Sequence, residues 1–133
     1  MLTWSDEYRT GIRRVDVQHR ALFQVVNRLE ILAASDPIDV AELEQLVNFT
    51  EDYITYHFGY EEQCMQSRRC PAHAANKEAH ERFIVQWHEF KRRYTEHGAQ
   101  KELIKEVLSF AEDWIRSHIL RVDICLREPP AQG

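Results

Sequence analysis

The chain has 133 residues, of which 44% are hydrophobic and 29% charged, with a net charge of −5. That is the composition of one soluble globular domain, long enough to bury a core without disulfide support. The acidic balance excludes nucleic acid and an anionic membrane as main partners, since "RRC" at 68–70 and "KRR" at 91–93 are too short to make a basic face.

The first fifteen residues, "MLTWSDEYRTGIRRV", lack helical periodicity and read as an irregular arm. A first helix is expected over 16–34, with the apolar seam His19, Leu22, Val26, Leu29 and Ala33. "SDPID" at 35–39 is a turn, and Asp39 followed by Glu42 makes a capping box for a second helix over 39–66. Its seam reads Leu43, Val47, Thr50, Ile54, His57, Glu61 and Cys64. "SRRCP" at 67–71 breaks that helix and places Pro71 near the start of a third, over 72–96. The third seam is Asn76, His80, Phe83, Trp87, Phe90 and Tyr94. Gly98 in "HGAQ" stops it. The fourth helix, over 100–122, carries Ile104, Val107, Ala111, Trp114 and His118.

"REPPAQG" cannot continue a helix, so 126–133 reads as a tail or linker behind a bundle spanning 16–125. No apolar run approaches the roughly 20 residues of a membrane span, and the start lacks a charged-then-apolar signal. The expectation is a cytoplasmic chain with no membrane span. Cys64, Cys70 and Cys125 match no zinc spacing and are expected as reduced thiols packed like small hydrophobes.

Four amphipathic helices with short connections predict an all-α, antiparallel up-down-up-down four-helix bundle. Every seam carries a histidine. His19 lies early in the first helix and His80 early in the third, while His57 lies late in the second and His118 late in the fourth. In an antiparallel bundle all four imidazoles then meet at one end of the core. Glu61 follows His57 by one turn, about 6 Å along the axis and on nearly the same face. Buried imidazoles and a carboxylate are costly unless paired, and metal coordination is the natural remedy. A nitrogen and oxygen donor set without thiolate spacing suits iron, manganese or zinc. Asp123 is a second carboxylate near the site, but it lies five residues after His118, about 140° around an ideal helix, so periodicity does not select it. His73, His88 and His97 fall outside the cluster.

The motifs Trp4…Tyr8…Gly11, "VDVQH" at 15–19, "HFGYEEQCM" at 57–65, "HERF" at 80–83 and "HILRVD" at 118–123 together resemble the hemerythrins, the bacterial ones in particular, over nearly the whole chain. The resemblance implies a non-haem di-iron centre with an oxo or hydroxo bridge. One iron would take His19 and His57, the other His80 and His118, and Glu61 and Asp123 would bridge them. It further implies dioxygen or a small anion as ligand, within a dry pocket for which Phe58, Phe83, Trp87, Trp114 and Ile115 are candidates.

The sequence departs from the family pattern at one position. "NKEAH" at 76–80 puts Asn76 where the family has a third histidine for the second iron. An amide oxygen is a weak iron ligand. Asn76 as weak ligand, a water or open position, and substitution by His73 one turn earlier are the three alternatives. The expected function is an oxygen- or redox-sensing input module, not itself an enzyme, in a signalling chain whose output domain is of the cyclase or chemotaxis-receptor kind. A stand-alone oxygen carrier or store is the alternative, and a di-iron oxidase or peroxidase stands third.

Overall fold

The computed structural model describes residues 1–127. Four helices account for most of them: α1 (Arg13–Ala34), α2 (Val40–Ser67), α3 (His73–His97) and α4 (Lys101–Arg121). Short 3-10 turns precede and follow them at Asp6–Tyr8 and Asp123–Arg127. Each helix packs on two neighbours, α1 and α3 both lying against α2 and α4, which is the expected antiparallel bundle. Among the described residues there is no strand, and no helix is long and apolar enough to cross a membrane.

Local chemistry sets the helix ends. α1 begins at Arg13, earlier than periodicity alone suggests, because Asp16 in its first turn draws in the arm. The Asp16 carboxylate accepts from the Thr10 N–H and hydroxyl, both at 2.8 Å, and from the Gly11 N–H at 3.3 Å. Gly11 has φ +86°, a conformation that favours glycine. The capping box of α2 is half formed. Asp39 accepts from the Glu42 N–H at 3.0 Å, while the Glu42 carboxylate turns instead to Arg28 of α1. α3 ends at Gly98, with φ +80°, whose N–H returns to Tyr94.

α2 ends in a Schellman motif. The Cys70 N–H bonds Met65 O at 2.9 Å, the Arg69 N–H bonds Gln66 O at 3.1 Å, and Arg69 takes the left-handed φ of 52°. Met65 and Cys70 also pack together, the apolar contact that accompanies this motif.

The cysteine expectation is corrected here. Cys70 and Cys125 form a disulfide, with Cα atoms 6.6 Å apart across 55 residues of sequence, and only Cys64 is free. Spacing gave no warning, because the two halves lie in a loop and in a turn after α4 that meet only in the folded bundle.

The core has three apolar clusters stacked along the axis. Leu32, Ala33, Leu43 and Ile104 close one end. Leu22, Phe23, Val26, Ile54, Phe58, Phe83, Ile115 and Ile119 fill the middle, joined by Leu2 and Tyr8 of the arm. Val15, Met65, Cys70 and Leu126 close the other end. Full burial of a large apolar side chain contributes roughly 1.5–3 kcal/mol, so these clusters hold the bundle rigid on either side of what lies between them. His19, Glu61 and Asp123 fall in sequence between middle-cluster and end-cluster residues, while His57 and His118 lie beside the middle-cluster residues Phe58 and Ile119. Leu126 is buried in that end cluster, and Arg127 holds the carbonyls of Asp6, Glu7 and Arg9. The remainder of the expected tail, 128–133, lies outside the described residues.

Candidate metal centre

The structure brings all six expected donors together. His19, His57, His80, His118, Glu61 and Asp123 are buried, and Glu61 has no exposure at all. Two groups of donor atoms each lie within 4.8 Å of one another: His19, His57 and Glu61 in one, and Glu61, His80, His118 and Asp123 in the other. Glu61 belongs to both. Its Oε2 lies 2.8 Å from His19 Nε2 and 3.3 Å from His57 Nε2, while its Oε1 lies 3.1 Å from His80 Nε2 and 3.9 Å from His118 Nε2. Asp123 also spans the pairs, with Oδ2 3.1 Å from His19 Nε2 and Oδ1 3.0 Å from His118 Nε2. Each carboxylate thus offers one oxygen to each half of the cluster.

Asp123 reaches this position because α4 does not continue. The helix stops at Arg121, Val122 turns with its N–H still on His118 O, and Asp123 opens the 3-10 turn. An ideal helix would have sent residue 123 around the side.

Two side chains that sequence reasoning missed orient the imidazoles. His57 Nδ1–H donates to Gln18 Oε1 at 2.6 Å, and His80 Nδ1–H donates to Glu62 Oε2 at 3.1 Å. Such bonds fix the ring so that Nε2 faces inward, the usual support of a metal-ligating histidine. The available signal was that requirement itself, but Gln18 neighbours His19 and serves His57, 39 residues away. The His19 Nδ1 is buried without a partner among the described residues. Aromatic rings hold His80 and His118: Phe58 stacks on His80 with centroids 3.8 Å apart and planes 5° apart, and Trp114 stacks on His118 at 4.4 Å and 12°.

The electrostatics favour bound cations. Burial opposes charge on His19, but hydrogen bonds to Asp123 and Glu61 outweigh it and push its pKa up to about 10. His118 is pushed up to about 9 by the same contest. Burial prevails at His57 and lowers it. Glu61, which burial alone would raise, is held well below the usual carboxylate range by His118, His19, His57 and His80. The carboxylates hold positive charge here as protons. Metal ions on the same Nε2 atoms satisfy the same demand, and the mixed nitrogen and oxygen donors fit iron, manganese or zinc.

Asn76 is fully buried within this ring. Its amide lies 2.7 Å from His118 Nε2, and the orientation that satisfies its neighbours turns the nitrogen to donate to Glu61 Oε1 at 3.0 Å and Asp123 Oδ1 at 3.2 Å. His73 opens α3 one turn earlier and belongs to neither donor group; His88 and His97 are exposed.

All five expected pocket residues, Phe58, Phe83, Trp87, Trp114 and Ile115, line an apolar cavity of about 70 Å³ in the middle of the bundle. A space of about 10 Å³ between His19, His57, His118 and Asp123 shares the walls Leu22, Phe58, Trp114 and Ile115 with it. That is near the minimum for one water molecule, so the inner face of the cluster is tight and mostly apolar.

A four-helix bundle that gathers four inward-facing imidazoles around two shared carboxylates defines a helical metal-binding protein. The family described as "Hemerythrin HHE cation binding domain" matches residues 10–123, and the chain belongs to it. It is 30% identical to a bacteriohemerythrin of Clostridium acetobutylicum over 125 residues, covering 92% of this chain and 96% of that one. It is 28% identical to a bacteriohemerythrin of Methylococcus capsulatus, covering 92% of each. A crystal structure of wild-type hemerythrin superposes with a TM-score of 0.80 at 27% identity, over 96% of this chain and 99% of that one.

Proposed function

We propose that this chain binds two iron ions and, through them, dioxygen or a small anion, and that it serves in the cytoplasm as an oxygen- or redox-sensing input module rather than as an enzyme. His19 and His57 would hold one ion and His80 and His118 the other, with Glu61 and Asp123 available to both. Bound ferrous ions would supply the electrons for holding dioxygen. The protein supplies everything else. Gln18 and Glu62 aim two imidazoles, Phe58 and Trp114 stack on two, and the apolar cavity excludes the water and protons that would shorten the life of the reduced state.

Asn76 carries the sensing reading. It stands buried beside His80 and His118, where an amide oxygen is a weaker donor than an imidazole. A weaker donor leaves the second ion less enclosed, so the reduced protein oxidises quickly in air. That suits a sensor coupled to an output domain, such as a cyclase or chemotaxis receptor, better than a store.

The second reading, a stand-alone carrier, is favoured by one observation: the relatives that the chain matches over most of its length are named bacteriohemerythrins. Absorption spectra of the anaerobically loaded, reduced protein before and after oxygen separate the two. Oxidation within minutes together with a change in shape supports the sensor. A spectrum that reverts on removing oxygen after many hours supports the carrier, and turnover of hydrogen peroxide supports a peroxidase.

A further inference from the structure

The disulfide is tied to the donor cluster from both ends. Cys125 sits in the 3-10 turn Asp123–Arg127, two residues after Asp123. Cys70 sits in the turn that launches α3, the helix of Asn76 and His80. The covalent bond therefore joins the segment that delivers one carboxylate to the start of the helix that delivers an imidazole. The turn has other anchors, in buried Leu126 and in Arg127 on the carbonyls of the arm, so losing the bond loosens it without releasing it. Cys125 is half-buried and Cys70 buried, which makes Cys125 the more reachable end.

We infer that Cys70 and Cys125 form a reversible thiol–disulfide switch that sets how firmly Asp123 is held in the metal centre. In a reducing compartment such bonds are transient and redox-sensing rather than structural. A dithiol reductant breaks the Sγ–Sγ bond through a mixed disulfide, giving two electrons and two protons to yield two thiols while itself becoming a disulfide. Hydrogen peroxide closes the switch again, taking the same two electrons and two protons and leaving as two waters. The inference rests on Asp123 as a metal ligand and on the cytoplasmic location proposed above, and is independent of whether the chain senses or stores oxygen.

Three readouts on the full chain test it. Alkylation of the unfolded protein with a mass tag, after hydrogen peroxide and after dithiothreitol, should count one thiol (Cys64) and then three. Three thiols in the peroxide-treated protein, or a bond involving Cys64, would overturn the pairing. The iron-loaded protein should lose metal to a chelator about tenfold faster when reduced than when oxidised, the size of effect that support around a ligand commonly has. Cys64→Ser should keep this difference, and Cys70→Ser with Cys125→Ser should behave as reduced protein in both conditions. Equal loss rates in the two redox states of the wild-type chain refute the switch. Hydrogen exchange at residues 122–127 of the metal-free protein decides independently of iron, because reduction should speed exchange there and leave α1 unchanged; equal exchange also refutes it.

Discussion

The Asn76 side-chain amide lies 2.7 Å from His118 Nε2, deep in a ring that also contains Glu61, His80 and Asp123. No solvent reaches it. An amide in this position is a hydrogen-bonding neighbour first and a metal donor second. Asn76→His should therefore slow air oxidation of the reduced, iron-loaded protein by about tenfold, the scale on which changes around a metal site act. The decay of the reduced-state spectrum after mixing with air measures it. An unchanged rate would remove Asn76 from the explanation of a short-lived reduced state.

Glu61 touches all four imidazoles, whereas each imidazole serves one half of the cluster. Glu61→Gln should abolish binding of both ions, while His57→Ala should leave the half built on His80 and His118. Metal analysis after gel filtration reads the difference. In the metal-free chain Glu61→Gln also removes one of the two carboxylates paired with the buried histidines, leaving Asp123 on His19 and His118; breaking a buried pair costs on the order of 3–5 kcal/mol. Equal metal content in the two variants would show that Glu61 is not shared.

Phe58 packs face to face on His80 and is itself part of the middle core. Phe58→Leu keeps the site apolar but removes the stack and part of the volume. A stability loss of about 1–2 kcal/mol is expected in urea unfolding of the metal-free protein. Iron loss should begin at the half that contains His80. A variant as stable as wild type, with unaltered metal retention, would mean that the ring is dispensable.

The metal-free protein should be most stable at mildly acidic pH, between about 4.5 and 6.5. His19 and His118 have pKa values raised to about 10 and about 9, so their stabilising contribution is complete below the unfolded histidine value near 6.5 and fades as pH rises through 9 to 10. Glu61 is depressed, so its contribution is present above about pH 4.5 and is lost as pH falls further. Thermal melts across pH 4–10 should trace this dome. Replacing His19 with Gln should flatten its alkaline limb, and an unchanged limb would rule out His19 as its cause.

The bundle was legible because Pro71, Gly98 and the capping Asp39 punctuate four seams of helical period, and because antiparallel order alone puts His19, His57, His80 and His118 at one depth. What escaped was whatever depends on a break in that period or on another helix. Asp123 could be chosen only by family resemblance, since its place depends on α4 stopping at Arg121. Gln18 and Glu62 lie next to the donors His19 and Glu61 in sequence yet serve imidazoles on other helices. The Cys70–Cys125 bond joins two segments whose approach no spacing rule encodes.

Whether one cluster holds two irons through shared carboxylates is read from anomalous diffraction at the iron edge, using anaerobically loaded crystals. Two iron peaks are expected, one beside His19 and His57, the other beside His80 and His118, with Glu61 and Asp123 touching both. A single peak, or a pair of peaks that leaves Glu61 or Asp123 on one ion only, would contradict that arrangement.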